Sequence, residues 1–209
     1  MDLQNPIRSV IPSAHGNVLA ILARSGKPLS GRGVAELTDG QLSPKGVSLA
    51  LRSLVTAGIV LVEEHPPAKL YRLNRRHLAC KAITSLAELR SSLIGAITAE
   101  LAGWNQPATA GWVFGSFARG DGGTESDIDV LIVRDNALDD EDSGWTAQIE
   151  TLVESVRAWS GNACAVIAYS EAEFSQLMAS DERLARELRT EAIALTAKGL
   201  PSRRPVQTV

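Results

Sequence analysis

The chain has 209 residues, 44% of them apolar and only 4% aromatic, with a formal net charge of −3. This apolar content excludes a disordered chain and suits one large or two small domains, with cores of aliphatic side chains and alanine. No apolar run reaches the length of a membrane helix and the first residues lack a signal-type apolar stretch, so a cytoplasmic protein without a membrane partner is expected.

The charge is unevenly divided. Residues 1–87 hold eleven Lys and Arg against five Asp and Glu, whereas residues 88–209 hold ten against nineteen. Such a split favours two modules with different partners, one tolerating polyanions and one able to gather cations. Cys80 and Cys164 have no paired metal spacing and read as ordinary thiols.

Asn17 to Ala23 reads as a short amphipathic helix, ended by Ser25-Gly26-Lys27-Pro28. Ser30 is the N-cap expected for a second helix reaching about Thr38, with Val34 and Leu37 inward; Asp39-Gly40 makes a turn. Ser43-Pro44 pairs an N-cap with proline at the first helical position. The third helix runs from there to about Ala57, with Val47, Leu51, Leu54 and Val55 inward and Lys45, Ser48 and Arg52 outward.

Two short β-branched or alternating runs, Ile59 to Val62 and Leu70 to Asn74, flank Pro66-Pro67 and predict a hairpin. No acid occurs from His65 to Ala87, while Lys69, Arg72, Arg75, Arg76 and Lys81 do. Three short helices followed by this hairpin resemble the MarR- and ArsR-like winged helix-turn-helix domains, whose third helix enters the major groove. The resemblance implies double-stranded DNA as a partner, contacts from Lys45, Ser48, Arg52, Lys69 and Arg72, and a homodimer.

From Arg76 to about Gly103, Leu78, Ile83, Leu86, Leu89, Leu93, Ile97 and Leu101 recur every three or four residues. This spacing predicts one long helix joining the modules. The domains expected are 1–80, a winged helix; 81–200, an α/β domain with a mixed sheet; and 201–209, a disordered tail. The fold class is α+β.

Ala110 to Phe114 is a short buried strand running into Gly115-Ser116-Phe117-Ala118-Arg119-Gly120, a polar turn, and Ser126-Asp127-Ile128-Asp129 at the head of an apolar strand. Alternation along the strand sends Asp127 and Asp129 to one face and Ile128 and Val130 to the other. Two adjacent carboxylates repel unless a cation lies between them, and hard oxygen ligands suit Mg²⁺. Gly115 permits close backbone approach, and Ser116 opens a helical turn able to hold phosphate.

This order of residues resembles the DNA polymerase β-like nucleotidyltransferase superfamily, and most closely its minimal nucleotidyltransferases and aminoglycoside adenylyltransferases. The resemblance implies Mg²⁺-dependent transfer of a nucleoside monophosphate from an NTP to an acceptor. Asp127 and Asp129 are then the catalytic acids and the ligands of a two-metal site, and Gly115, Ser116 and Arg119 hold the nucleotide. The superfamily draws a third carboxylate from a later strand, but the strand expected here, Ala163 to Tyr169, contains no acid. Glu171 and Glu173 beyond it read as the first turn of a helix capped by Ser170.

Asp139 to Asp142 form an acidic loop before a helix from Trp145 to Trp159, and the helix from Ser180 to Arg189 reads as an exposed face of paired Arg and Glu. Two further readings follow: a DNA-binding transcription regulator whose second domain senses nucleotide without chemistry, and an antitoxin-like protein paired with a toxin or other protein acceptor.

Overall fold

The computed structural model describes residues 1–196, so the tail expected at 201–209 lies outside the described residues. The chain divides into two compact units, one made of Asp2 and Gln4–Arg90, the other of Met1, Leu3 and the residues from Ser91 onward. Among the described residues no helix is long and apolar enough to cross a membrane.

In the first unit, α1 (Ile7–Val10) and α2 (Ala14–Arg24) precede a two-residue strand β1 (Leu29–Ser30), α3 (Gly31–Glu36) and α4 (Pro44–Thr56). The hairpin β2 (Val60–His65) and β3 (Ala68–Leu73) follows, and α5 (Cys80–Ala87) closes the unit. The sheet is antiparallel in the order β1-β3-β2. Strand β1 is too short to leave a pattern in the sequence. It exists because Leu29 and Ser30 pair with Tyr71 and Leu70.

Capping explains where the helices begin. Ser30 accepts a hydrogen bond from the Gly33 N–H and Ser43 one from the Gly46 N–H, with Pro44 at the first position of α4. Gly58, at φ 73°, turns the chain out of α4 into β2.

Three expectations are corrected. Helix α2 has no wet face, because Gly16 through Ala23 are all buried; it is the central helix of the unit, enclosed by α1, α4 and α5. Leu37 is 56% exposed rather than inward, since α3 stops at Glu36 and Leu37 falls at its C-cap. The single long helix from Arg76 to Gly103 is two, α5 and α6 (Leu89–Ala102), broken at Glu88. Its apolar stripe serves separate cores: Cys80, Ile83 and Ala87 pack in the first unit, Leu93, Ile97 and Leu101 in the second. Leu78 belongs to neither and is 99% exposed in the turn before α5.

The second unit continues as β4 (Ala110–Phe114), α7 (Gly115–Arg119), β5 (Ile128–Arg134), α8 (Ser143–Ser160), β6 (Cys164–Ser170), α9 (Glu171–Ala179), α10 (Arg183–Glu191) and β7 (Ile193–Ala194). Its sheet is mixed, in the order β6-β5-β4-β7, with β5 and β6 parallel and the other pairs antiparallel. The parallel pair is joined through α8, the crossover that parallel strands require.

The two faces of this sheet carry different cores. Val113, Ile128, Val130 and Ile132 pack with Leu93, Ile97, Leu152 and Val156 of α6 and α8, where Trp104 meets Trp145 edge to face at 5.2 Å. Trp112, Phe114, Leu131 and Val133 pack on the other face with Phe174, Leu177, Ala185 and Leu188 of α9 and α10. Helix α10 therefore departs from the exposed face expected of it. Arg183 does pair with Glu187 at 2.6 Å, but Ala185 and Leu188 are fully buried.

Candidate functional site

Strand β5 pairs with β4 so that Asp129 lies opposite Phe114, the last strand residue before α7. Because Ile128, Val130 and Ile132 fill the α6–α8 core, Asp129 points to the opposite face, where the charge of Asp127, just ahead of the strand, acts on it. Asp127 is exposed and Asp129 half-buried. The Asp129 carboxyl is held above the usual range, first by burial, then by the charges of Asp127 and Glu187, with Arg119 partly opposing them.

Gly115 enters α7 at φ 68°, a left-handed backbone that disfavours a side chain. The Asp129 carboxylate occupies the space a Cβ there would need. Ser116 is half-buried, and its carbonyl accepts the Gly120 and Asp121 N–H groups at 3.0 and 3.1 Å, closing the turn after α7. Gly122 is buried in that turn, against the Ser116 hydroxyl and Leu3.

Arg119 is not a free cation. Its guanidinium donates to Asp121 at 3.0 Å and to Glu191 of α10 at 2.9 Å. That second contact draws α10 along α7. One helical turn earlier Glu187 brings its charge to bear on Asp129. In the sequence Glu187 carries no signal beyond its spacing from Arg183, which is that of a surface pair.

On the parallel neighbour β6, the residue in register with Asp129 is Ala165. No carboxylate is supplied from this strand. Cys164 stands in register with Ile128, and its thiol is pushed up to about 12, by burial first and then by Asp129 and Asp127, so it is protonated at neutral pH. Glu171 and Glu173 open α9, where Ser170 and Glu173 form a reciprocal capping box. Asp142 caps α8 through the Gly144 and Trp145 N–H groups.

Among the described residues no three His, Cys, Asp or Glu side chains converge on a common metal position. What the site offers a divalent cation is a pair of like-charged oxygen donors, one of them raised in pKa by burial and then by the charge of the other. Such a donor set fits a hard ion that keeps several water ligands.

In the first unit, Lys45, Ser48 and Arg52 are all exposed on α4, with Leu49 between them at 54% exposure. The hairpin differs from expectation in its charge. The acid-free run from His65 onward faces glutamates on β2, so that Lys69 pairs with Glu64 at 2.7 Å and Arg72 with Glu63 at 2.8 Å. Each cation holds its partner's carboxyl below the usual range.

Residues 102–174 match the family model described as a nucleotidyltransferase domain. The match spans β4, α7, β5, α8 and β6, the elements that carry Gly115, Ser116, Asp127 and Asp129, and it supports the nucleotidyltransferase superfamily for this segment. Comparison with curated proteins returns no match. One solved structure, described as concerning the DNA recognition and protein interaction domains of HOP2, aligns with 30% of this chain and 100% of its own. At 23% identity and a TM-score of 0.28, that likeness carries no argument for fold or function.

Proposed function

We propose that the second unit binds an NTP with Mg²⁺ and transfers its nucleoside monophosphate to an acceptor, and that the first unit is a winged helix-turn-helix that binds double-stranded DNA. The observation supporting the first part is the seating of Asp129 over Gly115 at the turn from β4 into α7, within reach of the Asp127 charge. Asp127 and Asp129 hold the metal, which when bound neutralises charge on the phosphates. The half-buried Ser116 and the backbone at Gly115 are the groups that receive phosphate oxygens. Arg119, held by Asp121 and Glu191, contributes positive potential next to the carboxylates rather than a free contact.

Calorimetry with each of the four NTPs plus Mg²⁺, on the natural chain and on Asp127→Ala with Asp129→Ala, tests the binding step. Incorporation of label from an α-labelled NTP tests transfer. Binding that survives the double substitution defeats the assignment of the site.

One observation favours a second reading, a regulator that senses nucleotide without chemistry: Ala165 stands beside Asp129, on the strand from which the superfamily draws its third carboxylate. Loss of such a ligand or base typically lowers rate by orders of magnitude, while binding requires less. Nucleotide-dependent DNA affinity without label transfer selects this reading. The DNA-binding part in either case leans on the helix and hairpin order of the first unit and the exposed Lys45, Ser48 and Arg52. A homodimer accompanies it, checked by light scattering on the purified chain.

A further inference from the structure

The turn between Gly120 and Asp127 contains three glycines, at 120, 122 and 123, and has wide backbone freedom on its own. It is nevertheless tied down at alternate residues along one edge. The side-chain amide of Asn162 donates to the Thr124 carbonyl at 3.1 Å and to the Ser126 carbonyl at 3.0 Å. The next residue continues the series, with the Ala163 carbonyl accepting the Ile128 N–H at 2.9 Å. Asp127 is thereby flanked on both sides by backbone groups fixed to a single dipeptide.

Asn162 is suited to this because its environment is fully determined. It is 2% exposed, its own N–H donates to the Ser160 hydroxyl at 3.1 Å, and its Oδ1 accepts from the Met1 amino group at 2.7 Å. Gly161, at φ 76°, turns the chain out of α8 so that Asn162 arrives at the head of β6 beside the turn. No other residue type offers two amide N–H donors and one acceptor at this length without charge.

We infer that Asn162 is the positioning residue for Asp127: it touches neither nucleotide nor metal, and acts by fixing the backbone on either side of that carboxylate. The inference rests on the reading of Asp127 and Asp129 as metal ligands. Buried amides of this kind hold their partners at high cost of removal, since both carbonyls lose their donor when the side chain is cut back.

The test is Mn²⁺ titration by electron paramagnetic resonance on the full chain. It compares the natural protein with Asn162→Ala, Asn162→Asp, and Asp127→Ala with Asp129→Ala, alongside crystal structures of the natural chain and of the two Asn162 variants. Both Asn162 variants are expected to lose about tenfold or more in Mn²⁺ affinity, the range usual for groups that orient a metal ligand. Asn162→Asp adds a negative charge that by itself would attract the cation, so a loss there points to the missing donors. Natural Mn²⁺ affinity in a folded Asn162→Ala overturns the inference; if that variant does not fold, natural or tighter affinity in Asn162→Asp does so. If the natural protein binds Mn²⁺ no better than the double aspartate variant, the metal reading falls instead. The crystal structures then decide the positional part: Asp127 displaced by about 1 Å or more upholds it, and Asp127 unmoved refutes it.

Discussion

The carboxylate of Asp129 and the missing side chain of Gly115 fill one another's space: an ideal Cβ built on Gly115 would lie well inside 3.0 Å of Asp129 Oδ2. Since the backbone there is also left-handed, at φ 68°, two independent constraints hold the position to glycine. Gly115→Ala is expected to destabilise the second unit by about 1–3 kcal/mol from backbone strain alone, and further by displacing the carboxylate. The four tryptophans, at 104, 112, 145 and 159, all belong to this unit, so fluorescence-detected melting reads it separately from the first. An unchanged melting curve would remove the constraint.

The raised pKa of Asp129 makes a prediction with a definite sign. In the folded chain this carboxyl keeps its proton to higher pH than in the unfolded chain. Its contribution to stability is therefore fully present below the ordinary aspartate range and is lost as pH rises through the folded value. Asp129→Asn should raise the melting temperature of the second unit at neutral pH, with the advantage shrinking as pH falls toward the ordinary range. Asp127→Asn and Glu187→Gln should each move the Asp129 titration, followed by carboxyl carbon NMR, toward the usual value. If Glu187→Gln leaves it in place, Glu187 does not act on the site.

Arg119 opposes the shift at Asp129 while holding Asp121 and Glu191. Its side chain is 40% exposed, and ion pairs this open to solvent contribute little to stability. Arg119→Ala is expected to leave the melting temperature nearly unchanged, to push the Asp129 carboxyl still higher, and to weaken NTP binding severalfold through loss of positive potential. A large fall in melting temperature with unaltered NTP affinity would instead make Arg119 a structural tie between α7 and α10.

The hairpin cations are engaged across the strands, Lys69 by Glu64 and Arg72 by Glu63. If this hairpin meets a phosphate backbone, Glu63→Gln with Glu64→Gln should tighten binding to non-specific duplex DNA at low salt. Arg52→Ala, on the exposed face of α4, should weaken it and flatten the salt dependence by about one unit of slope. Fluorescence anisotropy across a salt series measures both. Negligible DNA affinity of the natural chain at low salt ends the DNA-binding proposal.

Local chemistry makes many elements of both units legible in the sequence. Ser30, Ser43 and Ser170 each accept the N–H three residues on, and Gly58 and Gly161 end their helices at positive φ. A strand's period of two dictated which way Asp129 would face once Ile128 and Val130 were taken as core. All of these depend on residues a few positions apart, and such short-range relations are written in the sequence. What joins distant segments was decided only by the fold. Periodicity shows that a stripe is apolar but not which core receives it, so the run from Leu78 to Leu101 read as one helix although it serves two units. The pairing of Lys69 and Arg72 with β2, the approach of Glu187 to Asp129, and the bonds from Asn162 to the turn before Asp127 join residues 5 to 58 positions apart and more than one element. Charge and hydrogen-bond partners are chosen in three dimensions, and there the chain's order is silent.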